Sequence, residues 1–585
     1  MEEYCFRDDA RRARAYQWSL MRGVAITLAL AVYLTPALGQ SITDQQAPAQ
    51  ELLRQQERER ALREQQETTP DVRLSRPVQA APDRLPVNET PCFPIHSIRL
   101  DGDDASAFQW ALQAADRSDD PATGHCVGTG GINVVMRRVQ NAIVARGYVT
   151  TRVLAKPQDL HTGVLTLTVV PGRIRAIRFA PGIDARAVSW RDALPSRPGD
   201  LLNLRDIEQA LENLKRVPTV DADIQIAPAE GNDVQPGESD LVIVWKQSAP
   251  ARVAVSLDDS GSEATGKLQA TVTLSLDNLL TRNDLFYVNL GQAVFDGGGR
   301  GTRSDTFHYD VPYGNWLLAA DAGGYTYHQT VAGYATNYVY SGTSDNADVK
   351  LSRLLYRNAT IKAGGYVRAW ERDSNNFIDD TEVLVQRRRQ GGWEAGLTYK
   401  QFLGAATLDA DVAYRRGTGA FGALHAPEEL FNEGTSRPQI ITADAQLTLP
   451  FQLGDQYFRY IGSWRAQWSQ TPLVPQDCFA IGGRYTVRGF DGELSLTGDH
   501  GWLIRNDLGW TVGGGQELYL GADVGHVGGA VTQQELGQTL AGAVIGLRGG
   551  WHGLTWDAFV GVPIAKPMGF QTYSPTTGFS LSWSY

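Results

Sequence analysis

The stretch YFRYIGSWRAQW, residues 457–468, alternates between two kinds of side chain, and this alternation decides the fold class. One set of alternate positions carries the aromatic residues Phe458, Tyr460, Trp464 and Trp468. The set between them carries the polar residues Arg459, Arg465 and Gln467. Because successive side chains of a β-strand point to opposite faces of a sheet, the stretch predicts a strand with one aromatic face and one polar face.

Similar stretches recur from about residue 250 to the end of the sequence. RVAVSLD places Val253, Val255 and Leu257 on one face, and the final GFSLSWSY does the same with Phe579, Leu581, Trp583 and Tyr585. A soluble sandwich also alternates, but the aromatic apolar face and the aromatic last residue favour a sheet that spans a membrane. At about 20 residues per strand and connection, residues 250–585 predict an all-β transmembrane barrel of about 16 antiparallel strands.

The N-terminal segment also predicts export. Residues 24–34 are apolar except for Thr27, follow Arg22, and lead to the small residues Ala37 and Gly39 of a small-x-small pattern. These features predict a secretory signal peptide over residues 1–39, too short to span a bilayer as a helix, which takes about 20 residues. Met21 would open a compact signal by itself and is an alternative start of translation.

Export permits disulfides, and two of the four cysteines are candidates for one. A bridge between Cys92 and Cys126 is expected to stabilise the fold by about 4 kcal/mol in the chain-entropy model. Two free thiols are the alternative. Cys5 falls in the signal peptide, and Cys478 is left without a partner or an assigned role.

A helix that is polar all round is predicted at the start of the mature chain. Residues 44–68 are rich in Gln, Glu and Arg, and their few large apolar residues are Leu52, Leu53 and Leu62. Such a helix lies in water or in a watery cavity, so both a solvated tether and a plug inside the barrel fit it. Residues 69–91 are predicted to be an extended linker, because they contain Pro70, Pro77, Pro82 and Pro86.

Two small α/β units follow the linker. Residues 92–173 combine the strands IHSIRL, YVTTRV and VLTLTVV with a helix whose one face carries Ile132, Val135, Met136, Val139 and Ile143. Residues 174–248 repeat the plan with IRAIRF, ADIQIA, LVIVWK and a helix whose one face carries Leu204, Ile207, Leu211 and Leu214. The chain therefore predicts two similar domains in tandem before the barrel.

A charged, glycine-rich loop and one strand of the barrel are candidates for a contact. In ELYLGADVGHV, residues 517–527, the apolar residues alternate so that Asp523 points into the lumen between two glycines. A carboxylate there needs a cation, and a guanidinium offers a planar, two-pronged donor. FAIGGRYTVRGF, residues 479–490, supplies Arg488 if the loop 470–500 folds inward. Arg484 is the competing candidate, and two unpaired, solvated charges are the remaining alternative.

These motifs are similar to those of a known group of membrane proteins. GGRYTVRGF resembles the inward-folded loop motif of the Omp85 superfamily, and GADVG resembles its barrel-wall motif. The order of signal, polar helix, linker, two domains and barrel resembles the TpsB transporters of two-partner secretion, the group of haemolysin and filamentous haemagglutinin exporters. Further matches are ARGYVTTRV, LNLRDIEQALENLKRV, YDVPYGNW, YRN and GVPIAKP.

The resemblance implies a fold and a contact. The two α/β units would be polypeptide-transport-associated (POTRA) domains, and the polar helix would be able to occupy the pore. Arg488 would pair with Asp523 and latch the loop to the wall. The residues expected around this latch are Val487, Gly489, Phe490, Gly521 and Gly525.

The resemblance also implies a function and a location. The barrel would lie in the bacterial outer membrane with the POTRA domains in the periplasm. It would export a large unfolded TpsA-type exoprotein, namely an adhesin, a haemolysin or a contact-dependent toxin. The expected partners are this exoprotein, outer-membrane lipid, and the periplasmic chaperones and barrel-assembly machinery that serve biogenesis. An Omp85-type barrel-assembly insertase is the alternative, although more than two POTRA domains are expected of it.

Composition and motifs argue against other classes of function. A formal charge of -11 does not suit a protein that binds nucleic acid as a whole. The 9 histidines show no metal-ligand spacing, and GGG at 297–299 and 513–515 lacks the Lys and Ser/Thr of a phosphate loop. We therefore expect no enzyme, no catalytic residue, no metal and no cofactor. A plain porin would need no tandem periplasmic domains.

Overall fold

The computed structural model describes residues 47–67, 70–74, 84–334 and 336–585. The predicted signal peptide, residues 1–39, lies outside the described residues, as does part of the predicted linker. The first described element is the helix Ala47–Gln66, inside the range 44–68 that composition predicts. None of the helices in these ranges is long and apolar enough to cross a lipid bilayer.

The first α/β domain packs one long helix against a small sheet. Its strands are β1 Phe93–Pro94, β2 Ser97–Gly102, β3 Cys126–Val127, β4 Arg152–Leu154 and β5 Val164–Val170. In the sheet, β5 lies between β2, to which it is parallel, and β4, to which it is antiparallel. The helix Thr129–Ala145 buries the predicted face, with Val135, Val139 and Ile143 in the domain core.

The strand predicted from YVTTRV is shorter than expected. It covers only Arg152–Leu154, because the chain leaves the preceding helix through Gly147, whose φ of 103° turns it back. The Tyr148 amide still donates to the Ile143 carbonyl at 3.4 Å, so this residue belongs to the helix end and not to a strand.

The last residues of the linker are fastened to the amino end of the helix Thr129–Ala145. The Glu89 carboxylate accepts hydrogen bonds from the amides of Gly128, Gly130 and Gly131 at 2.8, 2.6 and 2.9 Å. Desolvation opposes ionisation of this group, but the three amide bonds outweigh it and lower the pKa of Glu89. The linker therefore satisfies donors that the first turn of a helix leaves free.

The predicted bridge between Cys92 and Cys126 is confirmed. We expect that replacing both cysteines with Ser lowers the free energy of unfolding of the first domain by about 2–5 kcal/mol, as for other small exported domains. The measurement is the urea dependence of proteolysis within residues 93–172 of the full-length protein. Cys478→Ser is the control, because this buried cysteine is free and lies in the barrel. An unchanged urea midpoint in the double variant would contradict the prediction.

The second domain repeats the architecture. Its strands are β6 Arg173–Phe179, β7 Val220–Pro228 and β8 Glu238–Gln247, with β8 in the middle, parallel to β6 and antiparallel to β7. The short helix Trp190–Ala193 precedes the main helix Leu204–Lys215. The main helix begins where the Asn203 side chain accepts from Arg205 N, and its predicted apolar face is buried: Leu204, Ile207, Leu211 and Leu214.

Sixteen long antiparallel strands and one two-residue strand close into a barrel, which confirms the predicted fold class. The strands of the ring are β9 Ala251–Asp258, β10 Gln269–Asp277, β11 Leu285–Ala293, β12 Arg300–Tyr313, β13 Trp316–Ala332, β14 Asn337–Arg357, β15 Ile361–Ile378, β16 Thr381–Glu382, β17 Arg388–Leu403, β18 Ala406–Thr418, β19 Gln439–Leu453, β20 Gln456–Ser469, β23 His500–Gly513, β24 Gln516–Gly528, β25 Thr539–Trp551, β26 Leu554–Ala565 and β27 Thr576–Ser584. Two short strands, β21 Phe479–Ile481 and β22 Leu496–Gly498, lie in the connection after β20. The ring closes where β27 pairs with β9, from Ser580 with Asp258 to Ser584 with Ala254.

The two faces of the barrel wall follow the predicted alternation. In β24, Leu520 points outward and is 57% exposed, whereas its neighbour Tyr519 is buried on the lumen side. The connections at one end are tight turns, such as 314–315, 404–405 and 454–455, and those at the other end are long, such as 419–438 and 470–499. The second domain runs directly into β9 at the tight-turn end, so this end of the barrel faces the two α/β domains.

Candidate functional site

The connection between β20 and β23 folds into the lumen. Its strands β21 and β22 form a small antiparallel hairpin. The loop side chains Ile481, Val487 and Phe490 are buried together with the wall residues Leu503, Val527 and Leu540. Because the loop buries apolar side chains against the wall, its inward position is stabilised by the hydrophobic effect as well as by charge.

Arg488 and Asp523 meet at the tip of this loop. The Arg488 Nε donates to Asp523 Oδ2 at 2.7 Å, and Nη2 donates to Oδ1 at 2.8 Å. The Arg488 backbone amide adds a third bond to Oδ2 at 3.0 Å. Both residues are only 4% exposed. The contact is thus a bidentate, buried ion pair, the geometry in which an arginine differs most from a lysine.

Arg484, the competing candidate, lies against a different part of the wall. Its guanidinium donates to the Asp259 carboxylate and to the Phe579 carbonyl, at the junction of β9 and β27. The two arginines of the loop therefore hold it at two separate places.

Asp507 is a site residue that sequence reasoning missed. The Arg488 Nη2 also donates to Asp507 Oδ1 at 2.6 Å, so two carboxylates share one guanidinium. Arg548 continues the network from Asp507 at 3.3 Å to Glu517 at 2.7 Å. The alternation in β23 places Asp507 on the lumen face, because Leu508 and Trp510 on the other face are apolar. The alternation does not show that β23 lies beside β24, so it could not connect Asp507 with Arg488.

Glycines make the room in which the loop tip lies. A Cβ on Gly521 would stand 2.7 Å from Arg488 Nη2, and one on Gly525 would stand 2.8 Å from Val487 Cγ2. Gly489, in the loop itself, has a φ of 95° and approaches the Val562 carbonyl. The closest approach of the loop is at Gly542 in β25, a residue that sequence reasoning missed. A Cβ added there would lie 1.9 Å from the Arg488 carbonyl oxygen.

We expect Gly542→Ala to displace the loop tip from the barrel wall, because the added methyl carbon would clash with the Arg488 carbonyl oxygen at 1.9 Å. The measurement is tryptic cleavage after Arg488 in the folded, membrane-embedded protein. The wild-type chain is expected to resist cleavage there and the variant to be cut. Gly550→Ala, on the same lumen face of β25 but with neighbours no nearer than 3.4 Å, is the matched control. Equal resistance of both variants would contradict the expectation.

The helix Ala47–Gln66 lies inside the barrel, where it contacts both the inward loop and the wall. Arg54 donates to the Gly492 carbonyl of the inward loop at 2.6 Å, and Arg58 donates to Thr271 in β10 at 2.8 Å. Arg60 contacts Asp444 in β19 at 2.6 Å, and Glu57 accepts from Arg465 in β20 at 2.6 Å. The partners come from strands on opposite sides of the ring, which places the helix across the lumen.

Apolar contacts of this helix are few. Leu52 packs among the rings of Tyr325, Tyr327 and Tyr340, and Leu53 is buried as well. The other described contacts that hold the helix are ion pairs and hydrogen bonds. Cavities of about 1080 and about 1010 Å³ lie in the lumen beside it. The helix therefore rests in surroundings that are mainly polar, which suits its polar composition.

The chain that leaves the helix is clamped between the second domain and the barrel. The amides of Val72 and Leu74 donate to Glu212 and Glu208 of the helix Leu204–Lys215, at 3.0 and 2.9 Å. Arg357 of β14 donates to Glu212 at 2.8 Å and to the Val72 carbonyl at 2.8 Å. This arginine belongs to the YRN motif, whose contribution the sequence left open. Three parts of the protein thus meet at one pair of glutamates.

One group of side chains has the composition of a metal site. Glu67, His308 and Asp321 each place one ligand atom within 4.8 Å of the others. These residues also contact cations and carboxylates of the protein, since Arg63 lies 3.5 Å from Asp321 and His308 bonds to both Asp321 and Asp310. Arg216 of the second domain pairs with Asp310. The group therefore belongs to an ionic network that joins the helix, the wall and the second domain.

Comparison with known proteins gives the family. The family described as "Haemolysin secretion/activation protein ShlB/FhaC/HecB" matches residues 237–549, a ShlB-type POTRA domain matches 93–172 and a POTRA domain matches 173–228. The chain is 37% identical over 552 residues to outer membrane transporter CdiB-2 of Burkholderia pseudomallei, covering 90% of this chain and 92% of that one. It is 25% identical over 456 residues to hemolysin transporter protein ShlB of Serratia marcescens, covering 74% and 76%.

A solved structure agrees with this assignment. CdiB from Acinetobacter baumannii superposes with a TM-score of 0.82 at 30% identity, covering 93% of this chain and 100% of that one. The resemblance to an outer-membrane transporter with POTRA domains is thereby confirmed. The chain belongs to the ShlB/FhaC/HecB family, the TpsB outer-membrane transporters of two-partner secretion, whose members are transporters.

Proposed function

We propose that this transporter passes one large exoprotein through its lumen as an unfolded, extended chain. The observation that carries the proposal concerns the helix Ala47–Gln66. It lies in the lumen between two cavities and is held there almost wholly by polar contacts. Polar contacts of this kind can be exchanged for hydrogen bonds with water or with a polar client when the helix leaves, whereas buried apolar packing cannot be exchanged in this way. The helix is thus a removable part and not a piece of the core.

The space that the helix occupies suits an extended client. A helix with its side chains is about 10–12 Å across. Paired strands lie about 4.8 Å apart and stacked sheets about 10 Å apart, so one extended chain fits in the same space. A folded domain does not. The cavities beside the helix widen this path without changing the conclusion.

We propose that the POTRA domains receive the client in the periplasm by strand addition. Among the described residues, β7 pairs with β8 along one edge only, and β4 pairs with β5 along one edge only. Such free edges offer main-chain donors and acceptors to an extended segment, whatever its sequence. The POTRA domains adjoin the tight-turn end of the barrel, so a strand bound there lies at the entrance of the lumen.

Among the three client classes that the sequence leaves open, the relatives favour one. Those named CdiB match at up to 37% identity, whereas those named hemolysin transporters match at 25% and 22%. We propose that the client is the kind of exoprotein that CdiB transporters export, of the contact-dependent toxin class.

The test is export of a large exoprotein of the contact-dependent toxin class, expressed together with this transporter in a host that lacks other two-partner systems. Surface labelling of intact cells is expected to detect the exoprotein only when this transporter is present. The same cells without the gene are expected to keep normal levels of other outer-membrane proteins. A general loss of those proteins would instead favour the barrel-assembly insertase.

The source of directional drive is tested in liposomes that contain only the purified transporter and the denatured client. We propose that folding of the client on the far side drives transport, because no nucleotide is at hand in the periplasm. Protection of the client from external protease is expected without any nucleotide. A strict requirement for an added energy source would overturn this part of the proposal.

A further inference from the structure

The place where the second POTRA domain meets the rim of the barrel carries an unusual outer surface. We define the junction surface as Trp190, Arg191 and Arg197 of the domain with Tyr313, Trp316 and Arg353 of the barrel. The domain is firmly seated here, since Gly314 in the turn between β12 and β13 donates to the Asp192 carbonyl at 2.7 Å. Asn213 donates to the Gly314 carbonyl at 2.8 Å.

The junction surface lies at the level of the membrane interface. Tyr313 and Trp316 point away from the lumen and are 58% and 39% exposed. They belong to a belt of exposed aromatic residues at the periplasmic ends of the strands, which also contains Trp510, Trp551, Trp583 and Tyr585. Aromatic belts of this kind mark the boundary between hydrocarbon and water. The Arg197 Cζ lies 5.9 Å from the ring centroids of both Trp190 and Tyr313, so Trp190 stands beside the belt.

Three positive charges on this surface have no carboxylate to balance them. Within the described ranges, no Asp or Glu oxygen lies within 4.0 Å of the guanidinium of Arg191, Arg197 or Arg353. Arg197 donates to neutral carbonyls, those of Leu194, Ser196 and Arg191. Arg191 and Arg353 lie over the rings of Trp190 and Trp316, at 5.4 and 4.8 Å. This contrasts with the arginines of the lumen, whose carboxylate partners are described above.

From these observations we propose that the junction surface binds the headgroup of an anionic phospholipid in the periplasmic leaflet. Guanidinium groups bind phosphate oxygens in a two-pronged geometry, and rings at the interface pack against the upper part of an acyl chain. The outward side chains of Leu318 and Leu351 continue from Trp316 and Arg353 toward the bilayer centre, which favours a lipid over a free phosphate ion.

The consequence concerns the orientation of the second POTRA domain. Arg191 and Arg197 belong to the domain and Arg353 to the barrel, so one headgroup would contact both. The bound lipid would hold the domain against the membrane, with its free strand edge beside the entrance of the lumen.

The test uses the full-length protein in nanodiscs of phosphatidylcholine with increasing phosphatidylglycerol, and native mass spectrometry counts the retained anionic lipid. The variant is Arg191→Gln with Arg353→Gln, which leaves the carbonyl bonds of Arg197 intact. Since a basic residue near an anionic surface contributes about a factor of five, losing two is expected to weaken phosphatidylglycerol retention about 25-fold. The control is Arg99→Gln with Arg437→Gln, two exposed arginines of the first domain and a cell-surface loop.

Three results decide the proposal. Loss of phosphatidylglycerol in the junction variant alone, with a heat-modifiable and therefore folded barrel, supports it. Equal retention by the junction variant and the control overturns it. Displacement of the lipid by inorganic phosphate at the same concentration also overturns it, because the site would then recognise the free ion and not a lipid.

Discussion

Replacing Arg488 with Ala is expected to lower export of the exoprotein at least tenfold while the barrel still assembles. The substitution removes the guanidinium that Asp523 and Asp507 share and leaves the buried Asp523 carboxylate beside the half-buried Asp507 carboxylate. Removing one partner of a buried ion pair typically costs about 3–5 kcal/mol. A cost of this size shifts the equilibrium between the seated and the unseated loop about 100-fold or more toward the unseated form.

The partner substitutions show whether the contact acts as a unit. Asp523→Ala is expected to impair export less than Arg488→Ala, because Asp507 remains to neutralise the arginine. The double variant is expected to be no worse than Arg488→Ala, since the like charges then no longer face each other. Arg488→Lys keeps the charge but loses the fork of donors, so its export is expected to be intermediate.

The measurement is the amount of client on the cell surface, normalised to the amount of folded, heat-modifiable barrel. Arg437→Ala, an exposed arginine in a cell-surface loop, controls for loss of a positive charge. If Arg488→Ala and Asp523→Ala both export at the wild-type level, the contact shapes the loop but has no part in transport.

Deleting residues 47–67 is expected to raise the single-channel conductance of the protein several-fold in planar bilayers. The helix about 10–12 Å wide would be replaced by electrolyte that joins the two cavities beside it. The barrel itself should close as before, because the strand pairing of the ring does not involve the helix.

Point variants of the helix provide the controls for this experiment. Glu64→Ala is expected to keep the wild-type conductance, since its carboxylate is 66% exposed. Arg58→Ala removes a cation that is buried between the helix and the wall and is expected to raise the frequency of opening without changing the fully open conductance. A deletion variant that conducts like the wild type would show that the inward loop, and not the helix, limits the pore.

Much of the architecture follows from local pattern. The alternation around Trp464 and Leu520 predicts the barrel because a strand has a period of two, and lipid outside with water inside demands opposite faces. The same parity predicts that Asp523 faces the lumen. In the domains, the spacing of Leu204, Ile207 and Leu211 predicts one buried helix face, because the helix period is 3.6 residues.

The contacts that the helix and the inward loop make with the barrel wall could not be predicted from local sequence pattern. The composition of residues 44–68 fits a tether as well as a plug, and spacing alone cannot choose between Arg484 and Arg488. Asp507 and Gly542 were missed for the same reason. Each becomes part of the site only because β23 and β25 flank β24 in the ring, and the hydrophobic period of a strand does not specify its neighbours.

The sequence by itself therefore determined an exported chain with two α/β domains, a polar helix, an outer-membrane barrel and a lumen-facing carboxylate. The tertiary structure decided that the helix fills the bore, that Glu208 and Glu212 clamp the chain leaving it, and that the domain meets the rim beside Trp316. The physical reason is how far apart in the sequence the interacting residues lie. Periodicity reports which face of an element is buried, whereas strand closure and docking depend on contacts between residues far apart in the chain.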